Sequence, residues 1–314
     1  MKFKQLEKLS GDASFRKFYR HKKNKSIIVY CKKEKFKNLI IYEAVNRLLK
    51  KNDINTPKLI SENYKKNFIE IEDLGNLTGL KKYKSFKINN YKNLFKILKK
   101  IQHIKPKKIK TLLKKIYKIP IYSDKLLLDE AKLFSNWYLP TKIKKNETKV
   151  LNELNKILKK VIRKLMLKKR VLVHRDFHIS NIMLNRKKIY LIDTQDLICG
   201  NPAYDVASLI DDVRFKISLK NREILYKKFI LKEKKNFSRK LRNDFEILST
   251  LRNLKIIGIF TRLSLRDQKN QYLKLIPYAW KLIENRIKNK PVFKDLKFFL
   301  NQNFSAKLRK KYAN

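Results

Sequence analysis

The stretch His174-Arg175-Asp176-Phe177-His178-Ile179-Ser180-Asn181, followed by Ile192-Asp193, decides how this chain is read. Just before it stands a short β-branched run, Val171-Leu172-Val173. Just after it, Ile182-Met183-Leu184 and Ile189-Tyr190-Leu191-Ile192 flank the polar segment Asn185-Arg186-Lys187-Lys188. Two apolar runs around a polar turn predict a β-hairpin. The hairpin would bring Asn181 and Asp193 to the same open end. The pattern H-R-D, an Asn five residues after the Asp, and a distal Asp on the next strand supply the groups that phosphoryl transfer needs. One carboxylate orients the attacking hydroxyl and takes its proton, while an amide and a second carboxylate hold Mg²⁺ against the phosphates. In that reading Asp176 is the catalytic base and Asn181 and Asp193 are the metal ligands. Oxygen donors of this kind suit Mg²⁺, which keeps several waters and uses few protein groups. His174 reads as a structural residue hydrogen-bonded within the loop. With His178 it lacks a third ligand of zinc type.

Outward from this centre the sequence changes character. Towards the N-terminus, residues 15–19 and 27–31 are short apolar-rich runs separated by the polar turn HKKNKS, a second hairpin. Helical periodicity follows over residues 39–49, with Ile40, Ala44, Val45, Leu48 and Leu49 on one side. Residues 68–71 read as a strand, and Glu72-Asp73-Leu74-Gly75 as a connection. From about residue 90 the pattern is mainly helical. Beyond the central hairpin, Asn201-Pro202 reads as a helix start with Asn as cap and Pro at the first position. Ala203, Val206, Ala207, Ile210 and Val213 then form a stripe at helical spacing. The fold class expected is therefore α+β, with a small strand-rich lobe over residues 1–75 and a larger helical, catalytic lobe over 76–314.

Composition narrows the function classes. The 314 residues carry 80 Lys+Arg against 27 Asp+Glu, a formal charge of +53. Such a balance points first to nucleic acid. Of those 80 basic residues, however, 64 are Lys and only 16 Arg, and they are spread along the whole chain. Readers of phosphate and guanine favour Arg for its planar fork. Much of the excess follows instead from AT-rich codons, and nucleic acid is not the expected partner. The chain has five glycines and contains neither G-x-x-x-x-G-K-[ST] nor G-x-G-x-x-G, so the P-loop and Rossmann fingerprints are excluded. Two cysteines, Cys31 and Cys199, make no disulfide framework. No signal peptide and no bilayer-length apolar run are visible, so a cytoplasmic protein without a membrane span is expected.

Several segments together resemble the aminoglycoside phosphotransferase/choline kinase superfamily, whose fold is similar to that of protein kinases. They are Gly11-Asp12-Ala13-Ser14-Phe15-Arg16, residues 72–75, Leu133-Phe134-Ser135-Asn136-Trp137-Tyr138-Leu139, residues 174–183 and 192–196, residues 204–209, and residues 254–262. The first, third and last of these resemble the bacterial sugar kinases that phosphorylate the anomeric hydroxyl of N-acetylmuramate and N-acetylglucosamine in cell-wall recycling. The resemblance implies a bilobal protein-kinase-like fold, ATP and Mg²⁺ as cofactors, and a small sugar as acceptor. It implies Asp176 as base, Asn181 and Asp193 as Mg²⁺ ligands, and Gly11 to Ser14 as the nucleotide-covering loop, assisted by Ser14 or Arg16. Glu72 to Leu74 fall where the adenine-contacting hinge lies.

The same residues leave alternatives. The phosphate-binding lysine of the third strand has no clear counterpart. Lys32 is the candidate, with Glu43 as its partner, and both also read as plain surface charges. Asp205 matches a loop-steadying aspartate, or is a helix-start carboxylate favoured by the dipole. Asp196, Arg262, Arg266 and Asp267 are candidates for the sugar pocket. Arg262 suits the carboxylate of N-acetylmuramate, or an internal ion pair with a core aspartate. Trp137 and Tyr138 stack on a sugar or belong to the core. The competing functions are an aminoglycoside- or choline-type kinase, and a basic RNA-associated protein on a kinase-like scaffold.

Overall fold

A computed structural model describes residues 6–9, 16–35, 37–83, 85–105, 108–143, 145–231 and 233–310. The chain divides into two compact units, Met1–Pro120 with Val171–Cys199, and Ile121–Arg170 with Gly200–Asn314.

The first unit begins with strands β1 (Glu7–Leu9), β2 (Lys17–His21) and β3 (Ser26–Tyr30), then helix α1 (Lys37–Lys51), then β4 (Leu59–Asn63) and β5 (Phe68–Glu72). They form one antiparallel sheet in the order β1-β2-β3-β5-β4. The expected hairpin is β2–β3, with Lys17 opposite Tyr30 and His21 opposite Ser26. Phe15, where that reading began, lies outside the described residues. β5 alternates, with Ile69 and Ile71 inward and Phe68, Glu70 and Glu72 partly open, because successive side chains of a strand point to opposite faces. Ile27, Val29, Cys31, Ile69 and Ile71 pack with Leu39 and Tyr42 of α1. Each fully buried aliphatic there contributes on the order of 1.5–3 kcal/mol.

The unit continues through α2 (Gly79–Lys82), α3 (Ile88–His103), β6 (Lys108–Lys110) and β7 (Ile116–Lys118). The antiparallel β6–β7 ribbon interrupts the region whose pattern is mainly helical. In β6 only Ile109 is buried between two exposed lysines, a period of two that a helical reading passes over. β8 (Val171–Val173) pairs with β11 (Ile198–Gly200), and between them runs the hairpin β9 (Ile182–Asn185) and β10 (Lys188–Leu191). Arg186 and Lys187 both take left-handed φ, +45° and +62°, so the two-residue turn is built without glycine. Gly79 at the start of α2 sits where a Cβ would come within 2.6 Å of the Ile179 carbonyl oxygen, so only glycine lets α2 approach the loop after β8.

The second unit is helical: α4 (Asp124–Leu133), a π-turn at Phe134–Tyr138, α5 (Leu139–Lys142), α6 (Glu147–Ile162), α7 (Ala203–Ile210), α8 (Leu219–Ile230), α9 (Lys235–Asp267), α10 (Ile276–Ile287), α11 (Lys294–Asn303) and α12 (Ala306–Lys310). The 33 residues of α9 form its axis, about 50 Å long at 1.5 Å per residue. At Gly258 a Cβ would stand 2.2 Å from the backbone C and O of Leu133, so α9 and the π-turn meet backbone to backbone. Two of the segments behind the resemblance, residues 133–139 and 254–262, are thus one packing unit. Phe134, Tyr138, Trp280 and Phe304 close an aromatic cluster beside it, with centroids 5.1–5.9 Å apart. Tyr138 therefore belongs to the core, and its hydroxyl accepts from Trp280 Nε1 at 3.2 Å.

α7 is shorter than the stripe to Val213 suggested, and all eight of its residues are buried rather than one face. Asn201 Oδ1 accepts from Ala203 N–H at 2.9 Å, which is the capping contact expected at its start. Its end is fixed by charge. Asp211, fully buried, is held by Arg222 at 2.6 Å and by Arg286 at 2.8 Å and 2.9 Å, and the Ser249 hydroxyl donates to it. Arg222 also donates to the Ile210 carbonyl, one of the last acceptors of α7. Burial by itself would raise the Asp211 pKa. The two guanidiniums outweigh it and hold the carboxyl well below its ordinary value.

Candidate active site

The loop after β8 is shaped by its own backbone. His174 is completely buried and its Nε2 lies 3.0 Å from the Ile192 carbonyl, which can only accept. The imidazole ties the loop to the segment just after β10 that carries Asp193, as its structural reading required, and stands edge-on to Phe177. Arg175 and Asp193 adopt left-handed φ of +76° and +62°. Non-glycine residues pay about 1–3 kcal/mol each for such conformations, and these gather at functional sites. The half-buried Asp176 has its carbonyl engaged twice, by His178 N–H at 3.0 Å and by Asn181 Nδ2 at 3.0 Å. Asn181 N–H donates to His178 O at 2.9 Å, and Ile192 N–H donates to Asn181 O at 3.1 Å. That last bond continues the β9–β10 ladder by one step and sets Asn181 beside Asp193, at the open end of the hairpin.

The oxygens left over are the informative ones. Asn181 spends its amide nitrogen on Asp176 O, so its Oδ1 is available. Asp193 receives Arg16 and Gln195 Nε2 (3.1 Å) on the same oxygen, Oδ1, and among the described residues Oδ2 accepts no hydrogen bond. The Asp193 side chain is 39% exposed, so that oxygen can meet a ligand. One amide oxygen and one carboxylate oxygen are hard donors, and the described residues contain no cluster of three His, Cys, Asp or Glu. This sparse set fits a cation that shares its shell with phosphates and water, as Mg²⁺ does.

Arg16, expected at the phosphates, is buried against this carboxylate. It donates to Asp193 Oδ1 and, at 2.7 Å, to Gln195 Oε1, with its guanidinium 5.5 Å from the Phe18 ring and 5.6 Å from the Tyr42 ring. Gln195 passes the contact on to Asp196 at 2.9 Å, and Arg175 stands 4.0 Å from the other oxygen of Asp196. Thr194 donates to Asn46 Oδ1 at 2.5 Å, which anchors the segment to α1. The sequence reading missed Gln195. The signal was its place between two aspartates already singled out, where an amide can bond both at once.

Gly11 and Ser14 lie outside the described residues. Lys32 is exposed, and its supposed partner Glu43 is instead buried and paired with Arg47 at 3.0 Å, so the Lys32–Glu43 pair is not formed and Glu43 is no surface charge. The reason is helical spacing: Arg47 lies four residues on along α1. Glu72 and Asp73 spend their N–H groups on Lys58 O (2.8 Å) and Lys25 O (3.3 Å), and Asp73 grips Arg20 at 2.6 Å. Leu74 is buried. Asp205 is completely buried in the first turn of α7. Arg266 and Asp267 pair with each other at 2.8 Å on the surface. Arg262 is half-buried and has no core aspartate within ion-pair distance, which removes that alternative among the described residues.

Comparison with known proteins identifies the family and the fold. The pattern of APH, the phosphotransferase enzyme family, matches residues 5–225. A protein of Pseudomonas aeruginosa named N-acetylmuramate/N-acetylglucosamine kinase is 26% identical over 305 residues, covering 93% of this chain and 86% of that protein. One of the same name from Neisseria meningitidis is 24% identical over 294 residues, covering 85% and 81%. Among solved structures, a choline/ethanolamine kinase family protein from Mesorhizobium loti superposes with a TM-score of 0.59 at 12% identity, covering 95% of this chain and 92% of that one. Aminoglycoside 2'-phosphotransferase-IIIa in its GDP complex gives 0.59 at 14% identity, covering 91% and 93%. These structures share the α+β fold that the sequence implied. The chain belongs to the phosphotransferase enzyme family.

Proposed function

We propose that this phosphotransferase is a small-molecule kinase that transfers the γ-phosphoryl group of ATP to the anomeric hydroxyl of N-acetylmuramate or N-acetylglucosamine. The observation that carries the reading is the pair of uncommitted oxygens, Asn181 Oδ1 and Asp193 Oδ2, beside a loop that pins Asp176 by two bonds to its carbonyl. The names of the full-length relatives favour the amino-sugar acceptor.

In this reading Asp176 orients the acceptor hydroxyl and takes its proton as the new O–P bond forms and the bond from the γ-phosphorus to the bridging oxygen breaks. ADP leaves with the electron pair of that bond. Asn181 and Asp193 would hold Mg²⁺, which when bound draws charge off the phosphate oxygens. Arg16 and Gln195 fix the direction of the Asp193 carboxylate, and the buried His174 keeps the two halves of the site in register. Positioned dipoles that need no reorganisation account for most of the rate in such chemistry. The strained φ values of Arg175 and Asp193 are the cost of holding them.

The test is ³¹P NMR of the purified protein incubated with ATP, Mg²⁺ and a panel of N-acetylated amino sugars, an aminoglycoside and choline. The expected product is an anomeric sugar phosphate, identified by its coupling to the anomeric proton. Phosphate appearing only on the aminoglycoside or on choline would replace the acceptor and keep the chemistry.

A further inference from the structure

Helix α6 ends at Ile162, and the segment that follows it is fastened to α9 before it reaches Arg170. The N–H groups of Met166 and Leu167 donate to the two oxygens of Asp244 at 2.7 Å and 2.9 Å, and Asn243 Nδ2 donates to the Lys164 carbonyl at 2.9 Å. Asp244 is completely buried and also accepts from Asn201 Nδ2 at 2.6 Å. The side chains of this segment therefore start from a fixed backbone. Together with the start of α4 and with Tyr204 and Leu248, they line a cavity of about 150 Å³ that lies wholly within the helical unit.

The wall of the cavity has two parts. Leu127, Ile162, Leu165, Leu167 and Leu248 are aliphatic, and Tyr122 and Tyr204 add rings with centroids 4.9 Å apart. An apolar space of this size is enough to take up a benzene ring. The charged part sets Arg163, Lys168 and Arg170 against the single carboxylate of Asp124, a net charge of +2.

Those three cations are uncompensated. Among the described residues none of them has an ion pair or a side-chain hydrogen bond. The buried carboxylates that touch the lining residues are committed, Asp244 as above and Glu130 to Lys255 and to the hydroxyls of Tyr122 and Tyr204. The chain's excess of lysine accounts for Lys168 but not for two arginines at one cavity. Arginine here is mostly spent on carboxylates, as at Arg20, Arg47, Arg214, Arg242, Arg286 and Arg309. A guanidinium fork left free beside an apolar wall is suited to an anionic group on an organic body.

We propose that this cavity is a binding site for a phosphate monoester with a small apolar or ring body. The site shares no residue with Asp176, Asn181 or Asp193, and the inference does not depend on which acceptor the enzyme phosphorylates. At neutral pH a monoester carries close to two negative charges, which matches the net charge of the lining. Its oxygens meet the two guanidiniums, and its body covers the leucines and tyrosine rings.

The test is calorimetric titration of phenyl phosphate into the whole protein saturated with Mg²⁺ and ADP, so that the nucleotide site is already filled. A dissociation constant below about 1 mM is expected, with inorganic phosphate and benzoate each at least about tenfold weaker. Arg163→Met and Arg170→Met should each weaken phenyl phosphate about tenfold. Both side chains are exposed, so these variants should melt with the wild type when no ligand is present. Arg239→Met removes the same charge from an exposed position on α9 and should leave the affinity within about twofold. An equal loss in Arg239→Met would reduce the effect to the diffuse charge of the chain and overturn the proposal. Equal affinity for inorganic phosphate or for benzoate would overturn it as well, and so would the failure of phenyl phosphate to bind or its indifference to Arg163→Met and Arg170→Met.

Discussion

Replacing Asp211 by Asn keeps shape and removes charge at the buried hub of the helical unit. In the wild type the carboxylate is completely buried, takes Arg222 and Arg286 on its two oxygens at 2.6–2.9 Å, and accepts from Ser249. An asparagine would turn an NH₂ group towards a guanidinium and leave Arg222, itself 2% exposed, as a buried charge without its counterion. Breaking a buried pair in this way costs about 3–5 kcal/mol. Arg222 retains Tyr278 Oη at 2.8 Å and Ile217 O at 3.1 Å, and Arg286 reaches water, so the lower end, about 3 kcal/mol, is expected. For a protein of this size that corresponds to a fall in Tm of roughly 6–12 °C. Acid adds a second axis. Because the folded pKa of Asp211 is depressed, its contribution is fully present above the unfolded carboxylate value near pH 4 and is lost as pH falls below it towards the folded value. The gap between wild type and Asp211→Asn should therefore be constant from about pH 5 to pH 8 and narrow below about pH 4. Scanning calorimetry across that range measures both. A Tm shift under about 2 °C, or a gap that does not narrow in acid, would refute the claim that this charge cluster holds α7, α8 and α10 to α9.

Gly258→Ala should destabilise the protein by about 1–3 kcal/mol or more, because the new methyl group meets the Leu133 backbone at 2.2 Å. The helix-propensity gain of about 1 kcal/mol cannot offset that, and a neutral or stabilised variant in denaturant titration would contradict the close approach. Arg16→Met removes the two bonds that aim Asp193 and should weaken Mg²⁺-dependent ATP binding about tenfold in calorimetric titration. Arg16→Lys should restore only part, since one ammonium group cannot reproduce the planar contact to both Asp193 and Gln195. Unchanged affinity in both would free Asp193 of its proposed dependence on Arg16.

The centre of the site was legible because its signals are local. The spacing from Asp176 to Asn181 and the hairpin that returns at Asp193 need only strand periodicity and a turn, and the structure sets Asn181 and Asp193 together as that pattern required. The structural role of His174 was legible for the same reason. Contacts that depend on the packing of distant segments were not. Nothing near Arg16 in sequence shows that its partners are Asp193 and Gln195, and the pairing of Glu43 with Arg47 was hidden by the stronger suggestion of Lys32. Asp211 stands two residues before Val213 in a run read as one apolar stripe, yet its counterions come from α8 and α10. The β6–β7 ribbon within residues 108–118 was not read as strands, because in β6 a single buried isoleucine stands between two lysines. The five glycines proved informative twice: they removed the phosphate-loop fingerprints, and Gly79 and Gly258 then marked places where backbones touch.

The claim that Asp176, with Asn181 and Asp193, performs phosphoryl transfer is tested most directly by Asp176→Asn. Turnover on the acceptor identified by ³¹P NMR and ATP affinity by calorimetric titration are measured on the same folded sample. Loss of a general base predicts a fall in kcat of about 10²–10⁴-fold, with ATP affinity within about threefold of wild type, since the metal-binding oxygens belong to other residues. Near-normal kcat in that variant would contradict the account.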